Sequence, residues 1–223
     1  MLLIDITTAP QTYGRPIRGV LHVGAHLGEE AVAYRDQGVE YVVWVEGNPD
    51  LIPKLRAHVE PLGQQVIEGL VSDVDGTQIE FHVASNSWSS SILDLGTHAV
   101  AHPEVTFTDT KTLTAHRLDT LLERDGIDPK RFDMLLLDLQ GAELLCLRGA
   151  SSVVAEVDYI YSEINVDELY VGCVRLPELD AFLDAAGFER VKTHLVKDKG
   201  WGEALYVRRR SPFRRALARL RRR

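Results

Sequence analysis

Two glycines, Gly24 and Gly28, stand four residues apart directly after the apolar run Gly19 to Val23. A carboxylate, Glu46, closes the next apolar run eighteen residues beyond Gly28. A glycine turn lets the backbone bend sharply and approach a ligand closely. A helix starting behind it aims free N–H groups and its positive dipole end at the same place. An acid at the end of the second strand can accept both hydroxyl hydrogens of a ribose. The combination is more specific than either part, since glycines alone also make ordinary turns and a strand-end acid alone can be merely solvated. The spacing departs from the G-x-G-x-x-G dinucleotide fingerprint, with Ala25, His26 and Leu27 between the glycines. It therefore suits a nucleoside without a diphosphate better than NAD.

A second set of acids follows. Asp138 ends the most apolar run in the chain, Phe132 to Leu137, and Glu163 lies late in the run Asp158 to Ile164. If these are adjacent core strands, the two carboxyls converge at one sheet edge, where open α/β sheets bind ligands. Close carboxylates raise one another's pKa, which suits a proton acceptor. They also offer hard oxygen ligands for Mg²⁺, but no convincing third ligand accompanies them, so no metal site is assigned. Glu143 reads either as a charge favoured by the first turn of a helix or as part of the same acidic group.

The elements that must position these residues alternate between strands and helices, the pattern of a mostly parallel α/β sheet. Strands are expected at Gly19–Val23, Tyr41–Glu46, Gln65–Ile67, Thr77–Val83, Glu104–Thr114, Phe132–Leu137 and Asp158–Ile164, with Phe188–Leu195 and Glu203–Val207 as a closing antiparallel pair. Helices are expected over Glu29–Gln37, from a cap at Asn48 and Pro49 to Val59, and over Leu118–Arg124, Ala142–Leu147 and Leu176–Ala186. Ser72 to Gly76 is a turn by composition, and Ser85 to Ser91 a polar loop.

The 223 residues suffice for one large domain, assigned to residues 1–207. Hydrophobic residues make up 45% and charged residues 26%, an ordinary globular balance. No apolar run reaches the roughly 20 residues of a membrane span. Met1 to Asp5 carries no basic segment, so no secretory signal is expected. Cys146 and Cys173 fit no metal or disulfide spacing. A cytoplasmic location is the expectation. Net charge is −8, yet residues 208–223 hold nine arginines and no acid, so the body is strongly acidic. That argues against a nucleic-acid surface on the fold. The Arg-rich tail reads as a solvated or disordered appendage; contact with an anionic surface or RNA is the alternative.

The sequence resembles the FkbM-type methyltransferases in four places. These are Val23-Gly24-Ala25-His26-Leu27-Gly28; Val45-Glu46-Gly47-Asn48-Pro49; Val71-Ser72-Asp73-Val74-Asp75-Gly76; and Leu137-Asp138-Leu139-Gln140-Gly141-Ala142-Glu143, followed by Leu147-Arg148-Gly149-Ala150. The resemblance implies a Rossmann-like class I methyltransferase fold, with a mostly parallel seven-stranded sheet and an antiparallel closing strand. It implies S-adenosylmethionine as cofactor. Gly24, Ala25, His26 and Gly28 would line its methionine end, Glu46 would hold the ribose with Asn48 nearby, and Ser72 and Asp73 would lie beside the adenine. Asp138 would face the sulfonium and the acceptor, with Glu143 and Glu163 completing an acidic, catalytic cluster. The family opens its first motif with an acid where this chain has His22, and has Asn where His26 stands. Both histidines are kept among the expected cofactor contacts, with a hydrogen-bonded structural role as the alternative. Gln140 stands where the family more often has an aliphatic residue, Thr or an acid. The expected activity is O-methylation of a small molecule, a sugar or hydroxylated natural product, with no stable nucleic-acid partner. The alternatives are an NAD-dependent oxidoreductase and a nucleotide-binding module without catalysis.

Overall fold

The computed structural model describes residues 2–210. A short helix, α1 (Ala9–Tyr13), opens the chain; Pro10 presets its first turn and the left-handed Gly14 closes it. It was not foreseen, because five residues carry too little periodicity to register. β1 (Gly19–Val23) is buried along its whole length, as a central parallel strand must be. After α2 (Ala31–Asp36) and β2 (Tyr41–Glu46), α3 (Ile52–Val59) begins later than expected. Asn48 is not its cap. The Asn48 Oδ1 accepts from the Asp50 amide at 3.1 Å, closing a separate turn, and Leu51 stands at the helix cap. β3 (Gln65–Glu68) and the two-residue β4 (Leu70–Val71) follow.

β5 (Gln78–Ala84) and β6 (Phe107–His116) form an antiparallel hairpin around a long excursion that holds α4 (His98–Ala101). Then come α5 (Leu118–Arg124), β7 (Met134–Leu137) and α6 (Glu143–Arg148). A further helix, α7 (Ser151–Glu156), was missed. Its start is held by Asp119 of α5, whose carboxylate accepts from the Ser152 amide at 3.1 Å and from the Ser151 hydroxyl at 2.7 Å. A cap supplied from so far away leaves no local signature. β8 (Tyr159–Asn165), α8 (Leu176–Ala185), β9 (Phe188–Leu195) and β10 (Trp201–Arg208) complete the described chain.

Among the described residues seven strands form one sheet in the order β3-β2-β1-β7-β8-β10-β9. The pairs from β3 to β8 are parallel, and β10 runs antiparallel to both its neighbours. The expected mostly parallel sheet with an antiparallel closing strand is therefore present, the reversed strand lying between β8 and β9. A small second sheet, β4-β6-β5, was not anticipated. Apolar cores lie on both faces. Leu21, Leu135 and Ile160 face α5, α7 and α8; Val20, Trp44, Leu136 and Tyr161 face α2, α3 and the N-terminal segment.

Chain order reverses between β1 and β7, and β1, β2, β7 and β8 end at the same edge. That reversal opens a crevice at their carboxyl ends. Among the described residues no helix is long and apolar enough to cross a membrane. Arg208 belongs to β10, with its guanidinium 4.3 Å above the Phe188 ring, and Arg209 pairs with Asp184. The remainder of the expected Arg-rich tail, 211–223, lies outside the described residues.

Candidate active site

The glycine turn after β1 is built around Gly24, at φ +86°. A Cβ there would stand 1.7 Å from the Asp138 carbonyl oxygen, so only glycine lets the β1 and β7 loops meet. The amides of Gly24 and Ala25 both donate to the Val45 carbonyl, at 3.0 and 3.1 Å. His26 follows in the left-handed region, at φ +47°. Asn tolerates that region better than most residues, which accounts physically for the family's Asn at this position. Gly28, also left-handed, serves packing: a Cβ would come 2.6 Å from Val59 Cγ1 of α3, and Gly28 lines no cavity described below.

Glu46 is buried at the end of β2. Its Oε2 accepts from the His26 amide at 2.8 Å and its Oε1 from the Asn48 amide at 2.7 Å. Burial raises its pKa, and the Asn48 and His26 amides oppose that rise. Each oxygen keeps a lone-pair direction for a ligand. Glu46 lines a cleft that also touches Gly24, Asn48, Leu70, Phe81 and Asp138. Ser72 and Asp73 do not line it; Leu70, Val71 and Phe81 form an apolar wall where those two were expected.

A second, larger cavity adjoins the first and shares Gly24, His26, Trp88, Asp138 and Gln140 with it. Ala25 and His22 line this second space. His22 is buried, stacked 4.6 Å from Trp44, with Nδ1 3.2 Å from the Tyr34 hydroxyl. Burial pushes its pKa down to about 4, so the ring is neutral near pH 7.

Gln140 organises the shared wall. Its Nε2 donates to Asp138 Oδ1 at 2.7 Å and to Glu163 Oε2 at 2.8 Å, while the Tyr170 hydroxyl donates to its Oε1 at 2.8 Å. The one amide of Gln140 thus holds the Asp138 and Glu163 carboxyls side by side. Burial, and then the charge on Asp138, push Glu163 well above the ordinary carboxylate range, which marks it as the proton-bearing acid of the two, while burial raises Asp138 as well. Asp138 lines both cavities. Among the described residues no group of three His, Cys, Asp or Glu side chains is arranged to hold a metal ion.

Glu143 shares no hydrogen bond with this pair, although its charge acts on Glu163. It is fully buried behind the loop and lines neither cavity. Its Oε1 accepts from the Leu139 and Gly141 amides, at 2.9 and 3.2 Å, and its Oε2 has no partner. Burial pushes it up to about 7. A folded-state pKa raised from 4.5 to about 7 means that the native state holds the extra proton. The associated stability is present below the unfolded value and lost as pH rises through about 7. Urea unfolding is therefore expected to show stability falling from acid to neutral pH. Glu143→Gln, which keeps an acceptor for both amides, is expected to flatten that fall. An unchanged slope would remove Glu143 as its source.

Two contributors, Trp88 and Glu203, lay beyond the sequence reading. Trp88 stands among serines in the excursion between β5 and β6, its Nε1 donating to Glu29 at 3.3 Å. His26 reaches the same loop, with Nε2 2.8 Å from the Ser87 hydroxyl and Nδ1 2.6 Å from Glu29. A lone tryptophan in a polar loop was the available signal. Glu203 pairs in register with Glu163 across β10 and β8, a relation that only the strand register reveals.

A doubly wound sheet with one reversed strand, a glycine turn and a buried strand-end acid defines a Rossmann-like methyltransferase. Among solved structures, magnesium protoporphyrin IX methyltransferase (ChlM) from Synechocystis PCC 6803 shares the fold. Its form with bound SAH matches at TM-score 0.51 and 9% identity, covering 92% of this chain and 80% of that one. Its form with bound SAM matches at TM-score 0.50 and 9% identity, covering 92% and 76%. A curated relative, the 2-O-methyltransferase NoeI of Sinorhizobium fredii (strain NBRC 101917 / NGR234), is 27% identical over 179 residues, 76% of this chain and 71% of that protein. The Methyltransferase FkbM domain matches residues 22–190, and the chain belongs to that family of S-adenosylmethionine-dependent methyltransferases.

Proposed function

We infer that the protein transfers a methyl group to a hydroxyl of a small molecule, a sugar or a hydroxylated natural product. The observation that carries this is the Asp138–Gln140–Glu163 network on the wall shared by two cavities. A proton acceptor so placed touches whatever lies in either space. The name of the curated relative, an O-methyltransferase, supports the same reading.

The donor set fits S-adenosylmethionine. Glu46, buried and lining the smaller cleft, would hold the ribose hydroxyls, with the Asn48 amide fixing the carboxylate. Leu70, Val71 and Phe81 would take the adenine, in place of Ser72 and Asp73. Gly24, Ala25 and His26 would bound the methionine end, with His22 supporting from behind as a neutral ring. When bound, the cofactor supplies a methyl already activated on a sulfonium. The protein then has to orient the acceptor, exclude water and remove one proton. Asp138 is assigned as that proton acceptor and Glu163 as its proton-bearing partner; Glu143 positions the loop through the Leu139 and Gly141 amides. A non-catalytic module would have no use for two acids tied by one amide between two cavities.

Mass spectrometry of small molecules released on denaturing the purified protein tests the cofactor. S-adenosylmethionine or its demethylated product is expected; a nicotinamide nucleotide would contradict the assignment. Incubation with labelled S-adenosylmethionine and a panel of sugars and polyols tests the transfer, with alkali-stable methyl ether as the expected product.

A further inference from the structure

Gln140 holds its backbone in the left-handed region, at φ +51°. Glycine takes that conformation freely, whereas a glutamine adopts it against local preference. Such strain persists where the surroundings impose it, and it gathers at functional sites. The side chain that glycine would lack is fully engaged here. Its Nε2 donates to Asp138 Oδ1 and Glu163 Oε2, and its Oε1 accepts from the Tyr170 hydroxyl. Among the described residues neither lysine nor arginine lines either cavity, and the donor that meets both acids is this uncharged amide. Asp138 is open to both cavities, and its backbone amide is tied to the Val23 carbonyl at 3.0 Å. The last torsion of an aspartate is broad, so a fixed backbone does not by itself fix the plane of the carboxyl. The Gln140 amide does so, through Oδ1.

Gln140 is held in turn by the two segments that wall the cavities, the excursion between β5 and β6 and the stretch after β8. From the excursion, the Ser91 hydroxyl donates to the Gln140 carbonyl oxygen at 2.9 Å. From the other segment comes Tyr170, which is buried. The segments are joined to each other: the amides of Gly96 and His98 donate to the Leu169 carbonyl at 2.8 and 3.1 Å, and the Val171 amide to the Asp94 carbonyl at 2.8 Å. A side-chain amide can stand either way round, and its neighbours decide which. The Tyr170 hydroxyl lies 2.8 Å from Gln140 Oε1 and 3.4 Å from the Ser89 carbonyl oxygen. Its donated hydrogen keeps the amide oxygen on the Tyr170 side and the amide nitrogen on the side of the two acids.

Resting on the methyltransferase reading above, we propose that Gln140 is the positioning residue of the proton acceptor Asp138, and that Tyr170 locks Gln140 in the orientation this requires. Gln140 acts through Asp138 in two ways. It sets the direction of the carboxyl, and its N–H group favours the carboxylate over the acid, which keeps Asp138 able to take the hydroxyl proton. Tyr170 acts one step further out, by keeping the amide from turning its oxygen towards the acids. Because Ser91 and Tyr170 belong to the cavity walls, the walls that meet the acceptor also fix the group that deprotonates it.

Carbon-13 NMR of the full chain labelled at its aspartate carboxyls tests this without any substrate. The Asp138 signal is assigned by its loss in Asp138→Asn, and its titration is followed with pH. Gln140→Met, similar in length and without a polar hydrogen, is expected to raise the Asp138 midpoint by about one pH unit or more, the usual worth of a hydrogen bond to a charged group. Tyr170→Phe is expected to raise it by less, and Gln140→Glu, which exchanges the donor for a third acid, by more. With an acceptor from the panel above, the acid limb of kcat against pH is expected to move to higher pH together with the midpoint. A Gln140→Met midpoint within about 0.3 pH unit of the wild type overturns the proposal, and a loss of urea stability alone would make Gln140 structural. Tyr170→Phe titrating as the wild type does overturns the assignment of Tyr170 as the lock. Failure of the wild type to bind S-adenosylhomocysteine by calorimetry would instead count against the methyltransferase reading, and the titration would still decide what holds Asp138.

Discussion

Replacing Glu46 with alanine is expected to weaken S-adenosylhomocysteine binding by about 2 kcal/mol or more, roughly thirtyfold. Two effects add. The ribose hydroxyls lose their acceptor, and the His26 and Asn48 amides, which now donate to the two carboxylate oxygens, lose theirs. Calorimetry measures the affinity, and urea unfolding separates it from any loss of stability. A purely structural Glu46 would lower stability and leave the affinity of the folded protein unchanged. The pH dependence gives an independent check. Glu46 must be ionised to accept two hydroxyls, and burial holds its pKa above the ordinary carboxylate value. Affinity for the nucleoside is thus expected to decline on acidification through a pH higher than an exposed glutamate would give. Its absence in Glu46→Ala would assign the decline to this group.

Asp138→Asn is expected to reduce kcat by about 10²–10⁴-fold, the usual worth of a positioned proton acceptor, while changing acceptor affinity far less. Asparagine is close in shape and can still accept from Gln140 through its oxygen, so the loop need not move. It cannot take a proton from a hydroxyl. A mutation that lowers kcat and leaves binding alone removes an interaction made mainly in the transition state. Steady-state kinetics over a range of acceptor concentrations makes the comparison. Equal losses in kcat and in acceptor affinity would show that Asp138 only binds the acceptor.

The parts of this site that depend on local chemistry were readable in the chain. β1, β2 and β7 are short, apolar and ended by a glycine turn or an acid, and a strand buried on both faces permits little else. Gly24, Glu46 and Asp138 follow directly from where those strands stop. What could not be read depends on contacts distant in sequence. α7 begins where it does because Asp119 accepts from the Ser152 amide and the Ser151 hydroxyl. Glu203 faces Glu163 only through the β8–β10 register. Gln140 could be recognised as unusual, but not that it would bridge two acids. Glu143 and Gly28 fit their motifs yet act in packing and loop support, because a motif fixes a residue's position along the chain and not which way its atoms are used. Ser72 and Asp73 follow β4, and it is the apolar pair Leu70 and Val71 of that strand that reaches the cleft.

The ion-pair inventory does not alter this account. Ion pairs between two exposed side chains, such as Arg56 with Glu60 at 2.9 Å, contribute about 0–1 kcal/mol. The specificity of the cleft resides in buried, hydrogen-bonded carboxylates.

The most direct test is a crystal structure of the protein with S-adenosylhomocysteine bound. Both ribose hydroxyl oxygens are expected within about 2.5–3.0 Å of the Glu46 carboxylate, with the adenine against Leu70 and Phe81. A ligand whose sugar makes no contact with Glu46, or whose nucleoside occupies the larger cavity instead, would contradict the account.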